Sequence, residues 1–347
     1  MSPAAGLRGL ALLLGTVAAG CFQAGNPAGA TAGQAALSGQ SGGGGRLLTV
    51  TVPDVQHPEE FLARVTREFQ VASGGGALLR YRELLQSDGQ GGIRLDVTGF
   101  APDAQSGFGP PAQELQATYE NRQRYMVKYR DAHLRDALRA RQNYVWEEVP
   151  GTTTVASRPC QVYRARSRHG FGTVEMSVDV DSRMLLGWAL IDAQGTEQQR
   201  LQGAALDLSP DLSNVVWSQP STVDHPYTGS ELDHAQLGFR PLRADYIPYG
   251  FGAAQRLVLQ PLDTSVAPLY LEVYDDGLQV LLVAQQRVTP SGGQPAGTLV
   301  FARNCTIGGI SVAEGEIAGS DGEASTVYVV GSLPVDELNV VLGSMRD

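Results

Sequence analysis

Between Arg158 and Leu206 apolar and polar residues alternate with a period of two, over four segments separated by turns. "RPCQVYRARS", "GTVEMSVDV", "MLLGWALIDAQG" and "EQQRLQGAAL" read as strands, and "HGFG", "DSR" and "AQGT" as the turns joining them. That period puts every second side chain on one face, so the segments pair as an antiparallel meander with an apolar face to bury. A curved sheet that does not close on itself leaves this face concave. It must then bind something, be covered by a helix, or aggregate.

The flanking sequence supplies the other elements. "HPEEFLARVTREFQVA" opens with Pro58 at a first helical position and Glu59 and Glu60 in the first turn, and Phe61, Leu62, Val65 and Phe69 share one helical face. This predicts an amphipathic helix. "ALLRYRELLQS" and "GIRLDVTGF" flank "DGQGG" as the arms of a hairpin. From Pro110 to Tyr144, Leu115, Tyr119, Met126, Tyr129, Leu134 and Leu138 recur at helical spacing, which predicts a long helix, with "YMVKYRD" and "NYVWEEV" as alternative strands. After the loop "SQPSTVDHPYTGSELDH" come three strand candidates, "PLYLEVYDDGLQVLLVAQQ", "GTLVFARNCTIGGISVAEGEIA" and "STVYVVGSLP". "PVDELNVVLGSM" then reads as a terminal helix with Asp336 and Glu337 in its first turn. The expected fold class is α+β: a domain built on the antiparallel meander over residues 57–230, for which the resemblance given below implies an unclosed antiparallel half-barrel with a covering helix, and a small α+β domain over 231–347.

The N-terminus carries an address. Residues 1–20 have a short basic n-region, an apolar h-region and the small residues Ala18, Ala19 and Gly20, the form of a secretory signal peptide. The apolar run is shorter than the roughly 20 residues that span a bilayer. Small residues directly before Cys21 resemble the lipobox of bacterial lipoproteins. That resemblance implies that Cys21 is the lipid-attachment residue and the new N-terminus. Phe22, in place of an aspartate retention signal, favours the outer membrane. Residues 21–56, rich in Gly, Ala, Ser and Gln, read as a flexible tether. The expected location is therefore the bacterial envelope, periplasm-facing and membrane-anchored.

A formal charge of −10 argues against nucleic acid and against charge-driven adsorption to anionic lipid. The 26 basic residues are all arginine except Lys128. Arginines cluster in "RQRYMVKYRDAHLRDALRARQ", either as a solvated helix face or as a rim for phosphate or an acidic partner. In an oxidising envelope Cys160 and Cys305 are a candidate disulfide; otherwise they are small buried hydrophobes. The five histidines, His57, His133, His169, His225 and His234, show no His-x3-His or His-Glu-x-x-His spacing. The sequence holds no Gly-x-Ser-x-Gly elbow, and the glycine run at 74–76 lacks the ending of a phosphate loop. No catalytic residue, metal or cofactor is expected. Tyr81, Tyr144, Trp146, Tyr163, Trp188 and Trp217 lie on or near the sheet elements, as core filling or as the wall of a cavity for acyl chains.

The meander "CQVYRARSR…TVEMSVDVDSRMLLGWALIDAQG" resembles the RseB/MucB regulators and the LolA/LolB lipoprotein carriers. "LGFRPLRADYIPYG" is similar to the Leu-Pro-x-Gly-Phe opening of the RseB C-terminal half, without the proline before Gly238. "YLEVYDDGLQVLLVAQQ" is similar to its Tyr-x-Asp-Gly-Leu hairpin, with Tyr274, Asp276, Gly277 and Leu278 in register, and "GSLPVDELNVVLGS" to its closing strand and helix. The resemblance spans roughly residues 57–347. It implies a half-barrel with a helix across its mouth, a cavity for a lipid or other acylated ligand, and an anti-sigma factor or other envelope protein as partner. RseB is usually soluble, whereas the lipobox-like residues before Cys21 imply that this chain is tethered. The function expected from these readings is that of a non-enzymatic envelope lipoprotein, a sensor in envelope-stress signalling, or alternatively a carrier or a structural lipoprotein with a filled barrel.

Overall fold

The computed structural model describes residues 48–49, 51–72, 78–220, 222–262, 266–288, 299–307, 310–318 and 324–346. The expected leader, Cys21 and most of the tether lie outside them. Among the described residues no helix is long and apolar enough to cross a membrane.

Nine strands form the first sheet: β1 (Leu48–Thr49), β2 (Leu62–Ala72), β3 (Leu78–Asp88), β4 (Ile93–Ala101), β5 (Tyr144–Val155), β6 (Arg158–Ser167), β7 (Thr173–Asp179), β8 (Leu185–Ile191) and β9 (Glu197–Asp207). Their order is β1-β5-β6-β7-β8-β9-β2-β3-β4. The four-strand meander read from the sequence is β6 to β9, and "DGQGG" is the β3–β4 turn. β1 and β4 stand at opposite edges, so the sheet curves without closing.

The segment after His57 corrects the helix expected there. Only Pro58–Glu60 keeps a single 3-10 turn, capped by the His57 side chain, and the rest is strand β2. In β2 the residues turned inward are Ala63, Val65, Arg67, Phe69 and Val71. Arg67, at 2% exposure, occupies an apolar position of the alternation and so disguised a period of two. Val, Thr and Phe favour the pleated surface, and the antiparallel pairing of β2 with both β3 and β9 overrides the helical spacing.

The long helix expected from Pro110 onward is divided. Helix α1 (Gln113–Tyr125) runs into one wide π turn (Met126–Arg130), an extended stretch follows, and α2 (Ala137–Asn143) leads into β5. Asp131 breaks the helix in extended conformation, and the Asp136 side chain caps α2 by accepting from the Arg139 N–H. The segment from α1 to α2 covers the concave face of the first sheet, burying Tyr119, Met126, Val127 and Ala140 in its core.

The second sheet has the order β10-β12-β13-β14-β17-β16-β15, with β10 (Thr222–Pro226), β12 (Gly252–Pro261), β13 (Leu269–Asp275), β14 (Val280–Val288), β15 (Leu299–Ile307), β16 (Ile310–Ala318) and β17 (Ala324–Gly331). Two of the three expected strands are thus hairpins, β13–β14 and β15–β16. Outside this sheet, α3 (Glu231–Leu237) precedes β11 (Arg243–Ala244), and α4 (Val335–Gly343) precedes β18 (Met345–Arg346), which pairs with β11. Sheet membership changes between Asp207 and Thr222, because β10, which lies before residue 231, pairs with β12. β13, β14 and β17 are buried on both faces, one under α4 and the other against Tyr125 and Tyr129 of the covering segment. The covering segment is therefore a layer between two sheets, with Tyr119 and Val127 turned to one and Tyr125 and Tyr129 to the other.

Cys160 is a free, buried thiol on β6, where burial raises its pKa. Cys305 belongs to β15 of the other sheet.

Candidate functional site

Two constellations hold the covering segment in place. The first is a group of buried ions. Glu83 of β3 takes two hydrogen bonds from Arg130, Nη1 to Oε1 at 2.6 Å and Nη2 to Oε2 at 3.0 Å. Arg67 of β2 donates from Nε to Glu83 Oε2 at 2.9 Å and pairs through Nη1 with Asp131 Oδ2 at 2.7 Å. Arg130 Nη2 also donates to Asp131 Oδ1 at 2.8 Å, and the Tyr119 hydroxyl donates to Glu83 Oε1 at 2.5 Å. Two guanidinium groups and two carboxylates thus cancel in charge, with none more than 6% exposed.

The electrostatics follow from this closure. Burial alone would push the carboxyl pKa values up, but Arg130 and Arg67 more than offset it, so Glu83 is lowered and Asp131 lies well below the usual range. Burial opposes the charge on Arg130, and Asp131 and Glu83 more than restore it. Arg130 also stacks 4.5 Å above the Phe69 ring. The helix arginines expected on a solvated face or a phosphate rim therefore divide. Arg130 is sealed in, while Arg141 remains exposed.

The second constellation ties the covering segment and β5 to the β13–β14 turn. The Tyr144 hydroxyl donates to Asp276 Oδ2 at 2.5 Å, and Gln279 Nε2 donates to the same hydroxyl at 3.1 Å. Asn143 Nδ2 donates to the Asp276 carbonyl at 3.0 Å and the Gly250 carbonyl at 2.8 Å. Arg139 Nη1 pairs with Asp275 Oδ1 at 2.8 Å, and the Arg135 N–H donates to the Gly277 carbonyl at 2.9 Å. Leu278 is buried in the core of the first sheet. Gly277 has φ of +103°, and a Cβ there would stand 2.3 Å from the Ala140 nitrogen, so only glycine fits. Asp276, Gly277 and Leu278, which with Tyr274 carry the sequence resemblance of this hairpin, form the seam between the two sheets.

Beside this seam lies a cavity of about 60 Å³ lined by Tyr129, Arg130, Trp188, Leu190, Leu278 and Val280, among others. Its walls are mostly apolar, but Trp188 Nε1, Gln199 Oε1 and Gln279 Oε1 belong to its lining residues and have no protein hydrogen-bond partner. Ligand pockets typically hold about 300–1,000 Å³, so this one admits a few waters or the end of a chain.

The aromatic residues singled out in the sequence scatter around this geometry. Trp188 lines the cavity. Tyr81 packs between Phe69 and Phe100, with ring centroids 6.2 and 5.4 Å away. Trp146 Nε1 donates to the Ala140 carbonyl at 3.2 Å, and Tyr144 belongs to the seam. Tyr163 is buried in the first core, and Trp217 is half-buried in the connection before β10. Spacing along the chain missed one further cluster. His57 and His133 stack with centroids 4.1 Å apart, and Glu59 lies beside both.

No protein-family model matches the chain, and no curated protein matches it. Among solved structures it is similar to the Pseudomonas aeruginosa MucA/MucB complex, with 17% identity and a TM-score of 0.48 over 82% of this chain and 92% of that one. It is similar to MucB in complex with MucA(peri), at 19% identity and a TM-score of 0.48 over 82% of this chain and 92% of that one. MucB determined alone gives 16% identity and a TM-score of 0.45 over 83% of this chain and 93% of that one.

Proposed function

We propose that this chain is a non-enzymatic envelope protein of the RseB/MucB type, which binds the periplasmic part of an anti-sigma factor and is anchored through Cys21. The observation that carries this reading is the seam. The residues of the family-like hairpin, Asp276, Gly277 and Leu278, dock onto Tyr144, Asn143 and Ala140 and join two sheets through a covering segment. Such an assembly has two ways to respond to a partner: the sheets can stay latched, or the segment between them can shift. The charges of the buried ion group are taken up by one another, which suits a structural element rather than a reaction centre. The cavity beside the seam, at about 60 Å³, is well below the volume of a typical ligand pocket, which supports a protein partner over a lipid carried at that place.

The test is native mass spectrometry of the chain purified without detergent from a membrane-containing host, alone and with the periplasmic part of an anti-sigma factor from the same organism. A bare protein mass that shifts to a stoichiometric complex is expected. Absence of any complex would reject the anti-sigma reading. A co-purifying fatty acid or phospholipid mass would support the second reading, a lipid sensor or carrier, in which the covering segment moves off the concave face around Trp188. Labelling with radioactive palmitate, lost in Cys21→Ser, tests the anchor.

A further inference from the structure

We infer that His57, Glu59 and His133 form a binding site for a divalent transition-metal ion, with zinc the best match. One ligand atom from each lies within 4.8 Å of the others. Glu59 Oε1 is 3.8 Å from His57 Nδ1 and 3.9 Å from His133 Nδ1. Around a tetrahedral zinc at about 2.0–2.1 Å, ligand atoms stand roughly 3.3–3.4 Å apart, so each of these two separations must shorten by about half an ångström. Glu59, 34% exposed and on a single 3-10 turn, is able to supply that movement, while the two imidazoles, stacked with planes 24° apart, must also turn about their Cβ–Cγ bonds for both Nδ1 lone pairs to meet on one ion.

The far side of each imidazole shows why the near side is available. His133 Nε2 lies 2.6 Å from the Val127 carbonyl oxygen, which can only accept, so the proton sits on Nε2 and leaves the Nδ1 lone pair toward Glu59. His57 Nε2 faces Asp131 Oδ2 at 3.6 Å, a carboxylate that Arg67 and Arg130 keep ionised. A histidine whose outer nitrogen faces a carboxylate or a carbonyl is the arrangement that orients metal ligands. Nδ1 of His57 accepts the Glu59 N–H at 3.2 Å, a long contact that the metal would replace. Arg67 and Arg130 are already matched by Glu83 and Asp131, and Arg135 is drawn chiefly to Asp275, so Glu59 is the carboxylate left to meet the ion. A water reaching in beside the exposed edge of Glu59 completes four ligands. His57 precedes β2 and His133 follows the π turn, so the ion would staple the covering segment to the first sheet.

The test is isothermal titration of the full chain, stripped by chelator, with zinc chloride alone, and a parallel titration with cobalt(II) read by its visible d–d bands. One bound equivalent is expected, with affinity falling at least about tenfold in both Glu59→Gln and His133→Gln. Should His133→Gln not fold by circular dichroism, Glu59→Gln alone decides, because its side chain reaches solvent. Absence of saturable binding by the unmodified chain, or a loss below tenfold in the folded variants, overturns the assignment.

Discussion

The hydroxyl of Tyr144, the first residue of β5, donates to Asp276 Oδ2 in the β13–β14 turn at 2.5 Å, in a buried setting. It joins residues from two separate sheets, and the same hydroxyl accepts from Gln279 Nε2. Tyr144→Phe removes the donor while keeping the ring, and leaves two buried polar groups short of a partner. The expected loss is about 1–3 kcal/mol of unfolding free energy. Urea denaturation should show the midpoint move down, and an unchanged midpoint would mean that the seam draws its strength elsewhere.

Asp276 gives the seam a pH dependence of definite sign. Burial raises its carboxyl pKa above the ordinary 3.8, and the bonds from Tyr144, Leu278 and Gln279 only partly counter that. A raised acid binds its proton more tightly in the folded chain than in the unfolded one. Its contribution is therefore fully present below the unfolded value and is lost as pH rises through the folded value. Asp276→Asn mimics the protonated side chain, and its carbonyl still accepts from the turn N–H groups. The stability difference between the native chain and this variant should shift toward the variant as pH rises from about 4. A pH-independent difference would refute the raised pKa.

Much of the first sheet could be read from residue order alone, because β7 alternates closely, β8 is a short apolar run bounded by turns, and "DGQGG" is a short turn. β2 could not, because Arg67 holds an inward position that only the partners Glu83 and Asp131, from β3 and the covering segment, make tolerable. The seam was half legible. Asp276 and Gly277 explain a turn by themselves, whereas Asn143 and Tyr144, far away in the chain, turn it into a junction. His57 and His133 fit no short metal spacing, since a fold brings them together across two unconnected elements. Tyr81, Tyr163 and Trp146 could be placed on the sheet, but which aromatic ring reaches the cavity depends on sheet curvature.

Gly277→Ala tests the closeness of approach at the seam. At φ of +103° a side chain is strained, and its Cβ would lie 2.3 Å from the nitrogen and 2.6 Å from Cα of Ala140, which are backbone atoms that cannot rotate away. Conformational strain alone is worth about 1–3 kcal/mol, so with the clash the loss should be about 3 kcal/mol or more. Limited proteolysis should then cut the connection between Asp207 and Thr222 sooner than in the native chain. Equal protection would show that the turn relaxes without opening the seam.

Glu83→Gln tests whether the buried ions hold the covering segment. The amide keeps the shape of the carboxylate but deprives Arg67 and Arg130 of one counter-charge, with both guanidinium groups still sealed from water. Leaving buried charge uncompensated in this way costs about 3–5 kcal/mol. Tyr119→Phe, which removes one hydroxyl donor to the same carboxylate, should cost less, about 1–2 kcal/mol. The acid limb separates charge from packing. Glu83 has a lowered folded pKa, so its stabilisation is present above the unfolded value and is lost as pH falls through the folded one. Unfolding profiles below pH about 4 should therefore be steep for the native chain and for Tyr119→Phe, and shallower for Glu83→Gln, which has one fewer proton to take up. If all three profiles ran parallel, the ion group would be a consequence of the packing around α1 rather than what fixes it.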